Sequence, residues 1–146
     1  MKLILPFPIT GNQYWRCIFA RGRCRTIISA DARKYKKNVA KAWLEQKLIR
    51  KLKPFEPKER LQVKVDIYPE RRNTYDTDNC LKVLLDSISG DLMPIPNDKQ
   101  VKIINAYMWD ETATKPGKVE VEIRKLSDRP VSKENDVNDP LHLFKI

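Results

Sequence analysis

Two hydrophobic rhythms run along this chain. Leu61, Val63, Val65 and Ile67 interleave with Gln62, Lys64, Asp66 and Tyr68. That is the period-two pattern of a half-buried strand, and Pro69 ends it. Leu81, Leu84, Leu85 and Ile88 recur at i, i+3, i+4 and i+7, an apolar stripe that predicts a helix over 79–89 closed by Gly90. A longer helix, from about residue 30 to 52, is marked by Ala32, Tyr35, Val39, Ala42, Trp43, Ile49 and Leu52. Ser29 is placed to cap it, Asp31 lies in its first turn, and Pro54 and Pro57 stop it. Lys34, Lys37 and Lys41 share another face of that helix.

The remaining segments are shorter. Leu3-Ile4-Leu5 reads as a strand stopped by Pro6 and Pro8, and residues 9–25 read as loop, with Arg25 to Ile28 a candidate second short strand. Val101 to Trp109 and Lys118 to Lys125 look like a final strand pair, with Lys115-Pro116-Gly117 near the turn. The order predicts a single small α+β domain, a mixed sheet with two helices packed on it. That domain is expected over residues 1–126. Residues 127–146 lack periodicity and carry Pro130 and Pro140, so they are expected to form an appended, mobile tail.

Charge changes this picture. The 146 residues suit one core, and 41% hydrophobic content argues against global disorder. The net charge is +10 and uneven: residues 1–70 hold 17 basic and 6 acidic residues, while residues 71–125 hold 9 of each. A basic first half attracts polyanions, nucleic acid above all, although a solvated surface accounts for charge alone equally well. The three cysteines, Cys17, Cys24 and Cys80, form no C-x-x-C, so reduced thiols in a cytoplasmic protein are expected. His142 is the only histidine, which leaves a zinc site short of ligands. The N-terminal segment is too short and too proline-broken for a signal peptide, and no apolar run is long enough to span a membrane.

Against this basic background, acid is concentrated at one spot. Arg71-Arg72 is followed by Asp76-x-Asp78-Asn79, then Lys82 and Asp86, and later Asn97-Asp98. Carboxylates at i and i+2 of an extended segment point to one side. Mg²⁺ prefers oxygen ligands and is usually held by one or two carboxylates together with substrate phosphates. Asp76 and Asp78 are candidate ligands, and Asp98 joins them if its loop folds over the helix start. Lys82, one turn after Asp78, is placed to relieve charge on a phosphate, with Asp86 behind it. Plainer uses stand beside these. Asp78 can cap the helix, Asp76 can close an Asx-turn, and Lys82 can be an exposed i,i+4 partner of Asp78. Tyr14 and Trp15 can stack on bases or, as is commoner for aromatics, pack in the core.

The ordered set Leu5-Pro6-Phe7-Pro8, Asn12, Trp15, Ser29, Tyr35, Val39, Arg71-Arg72, Asp76-x-Asp78-Asn79, Lys82, Asp86 and Asn97-Asp98-x-Gln100-Val101 resembles the RusA family of Holliday junction resolvases over most of residues 1–125. The resemblance implies a homodimeric, bacterial or prophage-encoded endonuclease that nicks four-way DNA junctions symmetrically with Mg²⁺ or Mn²⁺. It implies Asp76, Asp78 and Asp98 as the metal-binding catalytic carboxylates and Lys82 as their assistant. Asn79 and Asp86 would support them, and Arg71, Arg72, Arg16, Arg23, Lys34 and Lys37 would contact DNA. Neither a small-molecule cofactor nor a membrane is implied. One departure is that family members often carry two acids where this chain has Asn97-Asp98. A less selective flap nuclease and a non-catalytic basic DNA-binding protein are the competing readings. A further one is an accessory protein that binds a partner through its tail.

Overall fold

The structure is a computed structural model that describes residues 1–72, 75–111 and 113–128. Its elements are β1 (Lys2–Pro6), α1 (Gly11–Tyr14), β2 (Trp15–Ala20), β3 (Arg23–Ile28), α2 (Ala30–Arg50), β4 (Leu61–Tyr68), α3 (Thr77–Ile88), β5 (Val101–Met108) and β6 (Lys118–Lys125). Short 3-10 turns cover Asp98–Gln100 and Leu126–Asp128. The tail expected over 127–146 lies outside the described residues, apart from the two that end this last turn.

Four strands form a mixed sheet in the order β1-β6-β4-β5, with β4 and β5 parallel and the other neighbours antiparallel. The last two strands are therefore not partners, contrary to the sequence expectation. β6 enters between β1 and β4, and β5 takes the far edge. The burial explains the choice. Val119, Val121 and Ile123 of β6 are all buried, which suits an interior strand, whereas most of β5 is exposed. A parallel β4–β5 pair also needs a crossover, and α3 supplies it.

The core lies between one sheet face and the helices. Leu3, Leu5, Leu61, Val63, Val65, Ile67 and the β6 residues meet Ala32, Tyr35, Val39 and Trp43 of α2 and Cys80, Val83, Leu84 and Ile88 of α3. Leu81 and Leu85 border this cluster. Ile49, expected in the stripe, is 81% exposed. It lies about 120° around the helix from Trp43. The face presented to β1 is polar there. Gln46 accepts from the Ile4 N–H and donates to the Ile4 carbonyl, and Arg50 donates to the Lys2 carbonyl. These side chains cover the free edge of β1. The helix stops at Arg50 with Lys51 left-handed (φ 53°), ahead of the prolines expected to stop it.

The opposite sheet face is open to solvent. Its charges pair along single strands: Lys64 with Asp66 (3.3 Å), Lys118 with Glu120 (2.6 Å) and Arg124 with Glu122 (2.6 Å). Tyr68 and Trp109 stack beside them.

Residues 9–25 are not a loop. After the single turn of α1, β2 and β3 form a separate two-stranded antiparallel ribbon. Its turn, Ala20-Arg21-Gly22-Arg23, has positive φ at both central residues (52° and 73°), as a two-residue hairpin loop requires. Cys17 and Cys24, expected as free thiols, are joined in a disulfide across the ribbon, with Cα atoms 6.3 Å apart. The register explains it. Cys17 pairs with Thr26 and Cys24 with Phe19, so the two cysteines sit diagonally on one ribbon face, within bridging reach. Only Cys80 is a free thiol.

Candidate active site

The acidic motif begins where β4 ends. The Pro69 carbonyl accepts from the Thr114 N–H (2.9 Å), and Glu70 accepts from the Gly117 N–H (3.3 Å). These bonds tie the strand exit to the start of β6. Arg71 and Arg72 follow, exposed. At Tyr75 the ring meets Phe7 edge-on at 4.7 Å.

Asp76 is extended (φ −87°, ψ 132°) and holds the N-cap position of α3; its carbonyl accepts from the Cys80 N–H at 3.2 Å. The cap expected at Asp78 therefore falls two residues earlier, and Asp78 lies in the first turn. The Asp76 carboxylate makes no capping bond. It accepts instead from Asn79 Nδ2 at 3.3 Å. Asn79 is held in turn by close packing: a Cβ on Gly11 would lie 3.0 Å from Asn79 Oδ1. Asp78 is exposed and makes no hydrogen bond or ion pair among the described residues. Both carboxylates thus stand at a helix N-terminus, where free N–H groups favour negative charge. Beneath them Cys80 is fully buried. Burial, reinforced by the charges of Asp76 and Asp78, pushes its thiol up to about 11.

Lys82 is exposed one turn beyond Asp78, and no ion pair to Asp78 or Asp86 holds it. Asp86 lies two turns after Asp78, about 12 Å along the axis, and lines a cleft with Asp98. Asp98 opens a 3-10 turn tied by a capping box. Asn97 accepts from the Lys99 N–H (2.9 Å), and Gln100 Oε1 accepts from the Asn97 N–H (3.0 Å). The Gln100 amide also donates to the Glu56 and Glu59 carbonyls, which fixes the loop. Asp98, Asp86, Asn97, Ser89 and Lys36 line one open cleft.

The predicted acids therefore fall into two groups along α3: Asp76 with Asp78 at its start, and Asp86 with Asp98 toward its end. Among the described residues no three such groups gather at one point. The donor chemistry of the first pair nonetheless fits a hard cation. Two exposed carboxylates, with Asn79 their one hydrogen-bond partner among the described residues, leave room for waters and phosphate oxygens, as Mg²⁺ prefers. Lys36 was not singled out by the sequence; its signal was only a lysine next to the core residue Tyr35. It reaches the cleft and also lies 5.6 Å from the Tyr14 ring. Tyr14 is core, whereas Trp15 is 43% exposed. The predicted DNA contacts divide by place. Arg71 and Arg72 adjoin the acids, Lys34 and Lys37 lie exposed on α2, and Arg16 and Arg23 are on the ribbon.

Fold and site together describe a small basic α+β domain with an exposed carboxylate pair at a strand-to-helix junction. Comparison with known proteins gives it a family. The family model described as "Endodeoxyribonuclease RusA" matches residues 6–124, and the chain belongs to that family. It is similar to a protein of Enterobacteria phage HK97 named "Crossover junction endodeoxyribonuclease rusA", with 40% identity over 90 residues. The match covers 60% of this chain and 65% of the phage protein, so it spans just under two thirds of that relative. Among the described residues no helix is long and apolar enough to cross a membrane.

Proposed function

We propose that this protein is a metal-dependent endonuclease that resolves four-way DNA junctions by paired symmetric nicks. It acts as a homodimer on DNA in the bacterial cytoplasm. One observation carries the reading: a chain of the RusA family presents Asp76 and Asp78, both exposed, at the start of α3, with Asn79 the single hydrogen-bond partner of the Asp76 carboxylate among the described residues. The name of its phage relative supports the same substrate.

Asp76 and Asp78 would hold Mg²⁺, with Mn²⁺ able to replace it; Asp98, which lines the cleft with Asp86, would have to approach that pair to complete the acidic set. A divalent cation there supplies charge relief on the phosphate and an acidified water. The protein's own groups do the rest. Asn79 orients the Asp76 carboxylate, and Lys82, unpaired by either neighbouring acid, is available to the phosphate oxygens as negative charge develops. Asp86 and Lys36 shape the cleft beside Asp98. Arg71 and Arg72 meet the backbone next to the cut. A two-fold dimer matches the approximate two-fold symmetry of a junction and sets one site on each cut strand.

The test is junction cleavage with and without Mg²⁺, comparing wild type with Asp76→Asn. The variant is expected to lose roughly 100-fold or more in cleavage, the scale of a lost ligand or transition-state contact. It is expected to keep or improve junction binding, because a repelling charge is removed. Undiminished Mg²⁺-dependent cutting by the variant overturns the assignment. Equal cutting of flaps, linear duplex and junctions by the wild type replaces a resolvase with a less selective nuclease.

A further inference from the structure

The β2–β3 ribbon carries Arg16 and Arg23, named above only as DNA contacts that the resemblance implies, and the cleavage mechanism makes no use of it. Its register sorts its side chains cleanly. Arg16 pairs with Ile27, Ile18 with Arg25, and Ala20 with Arg23, so three arginines share one face. The other face carries Trp15, Cys17, Phe19, Cys24, Thr26 and Ile28. At its base this second face leans on the body, with Trp15 against the Tyr14 ring at 4.9 Å and Ile28 bordering the core. At its far end none of the described residues covers it, and Phe19 is 79% exposed.

Charge commits the arginine face to one kind of partner. Residues 15–28 contain four arginines and no acid, and none of these arginines forms an ion pair among the described residues. An unneutralised row of guanidinium groups on an extended ribbon fits a phosphate backbone. An isolated two-stranded ribbon is only marginally stable. Here the disulfide ties the strands together behind the arginines, and Ser29 anchors the base: its hydroxyl donates to the Gln13 carbonyl (2.6 Å) and accepts from the Ala32 N–H (3.1 Å).

We infer that the ribbon is a DNA-binding arm that enters the branch point of the substrate. Arg16, Arg23 and Arg25 grip the backbone of one duplex arm, and Phe19 stacks on a base pair exposed at the crossover. The two-faced design carries the inference. Arginines on one side and an exposed aromatic on the other suit a place where DNA lies on both sides. A branch point provides that place; linear duplex lies on one side only. Terminal base pairs at a branch also offer the open π-face that aromatic stacking requires. The inference rests on the branched-DNA reading above and deepens it.

The test measures binding of the full chain to labelled four-way junction and to linear duplex in EDTA, at two or more salt concentrations. Removing all three arginines (R16A, R23A, R25A) is expected to weaken both complexes about 10- to 100-fold and to lower the salt slope by about 2–3. The corresponding triple lysine variant keeps most of the affinity. Phe19→Ala is expected to weaken junction binding about tenfold and duplex binding less than about twofold. Phe19→Trp restores the junction preference, and Phe19→Leu, equally apolar but not aromatic, does not. Thermal melts confirm that each variant is folded. Unchanged junction affinity for Phe19→Ala and for the triple alanine variant overturns the arm. So does a change of oligomeric state with DNA binding unmoved, which makes the ribbon a contact between subunits. Wild type that neither prefers nor cuts junctions sinks the resolvase reading instead; the arginine salt slope then still decides whether the ribbon is a DNA arm.

Discussion

The outer sheet face and the ribbon are both rich in cations and aromatics, yet they are built to opposite ends. On the sheet, Lys64, Lys118 and Arg124 each have a carboxylate two residues away on the same strand and side. Trp109 stacks on Tyr68 and donates its indole N–H to Asp66 at 3.1 Å. The bond from Arg124 holds the Glu122 carboxyl below its usual range, and the paired groups offset one another locally. On the ribbon the arginines meet no acid, and Phe19 meets no ring, among the described residues. Cation count alone does not mark a DNA surface. The spacing of acids decides which cations are already satisfied.

The comparison breaks most severely if acid is written into the ribbon at the sheet's spacing. Ile18→Glu with Ile27→Glu places carboxylates directly across from Arg25 and Arg16. DNA affinity at low salt is expected to fall on the order of 100-fold, and titration by anisotropy checks it; unchanged affinity would mean that the ribbon's charge is idle. Next in size is Ser29→Ala. It removes the cap of α2 and the bond to Gln13, and is expected to cost about 1–2 kcal/mol of stability in denaturant melts.

Thiols sharpen the contrast differently. After reduction, exposed Cys17 and Cys24 are expected to alkylate quickly, whereas Cys80 reacts only on unfolding. The Cys80 thiol, raised by burial from about 9 to about 11, keeps its proton in the folded state while the unfolded chain loses it. Folding stability therefore falls as pH rises from about 9 to 11. Cys80→Ala should flatten that part of the alkaline stability profile, and an unaltered slope would show that another group controls it. The smallest effect belongs to the sheet. Lys64→Gln, Lys118→Gln and Arg124→Gln should each leave DNA affinity within about twofold, and stability within about 0.5 kcal/mol, as exposed pairs do.

Much of this architecture is legible in the sequence. The alternation of Leu61 to Ile67 and the stripe of Leu81 to Ile88 are properties of local periodicity, and both elements stand where they were expected. Ser29 as a cap was equally local. What escaped was non-local or ambiguous. Local pattern does not encode which strand lies beside which, so the sequence suggests a β5–β6 pair that the sheet does not contain. β2 has no polar-apolar alternation, because neither ribbon face is buried in the core; Arg21-Gly22 at a tight turn, flanked by two cysteines seven residues apart, was the available signal. Asp76 and Asp78 flank a single threonine, so either satisfied the rule for a cap, and backbone geometry had to choose. The acids of the site were visible as residues. That Asp98 lies with Asp86 and Lys36 rather than at the head of α3 depends on the Gln100 anchor, which no spacing reveals.

Gln46 and Arg50 have one more consequence. By occupying the outer N–H and C=O groups of β1, they leave the sheet with β5 as its single unprotected border among the described residues. A sheet open on both sides can grow without limit by adding copies of itself. A sheet open on one side can be joined only once: two copies meeting through β5 would present sealed borders at each end, and growth would terminate there. The polar face of one helix thus works as a stop against fibre formation, built into the same helix that packs the core.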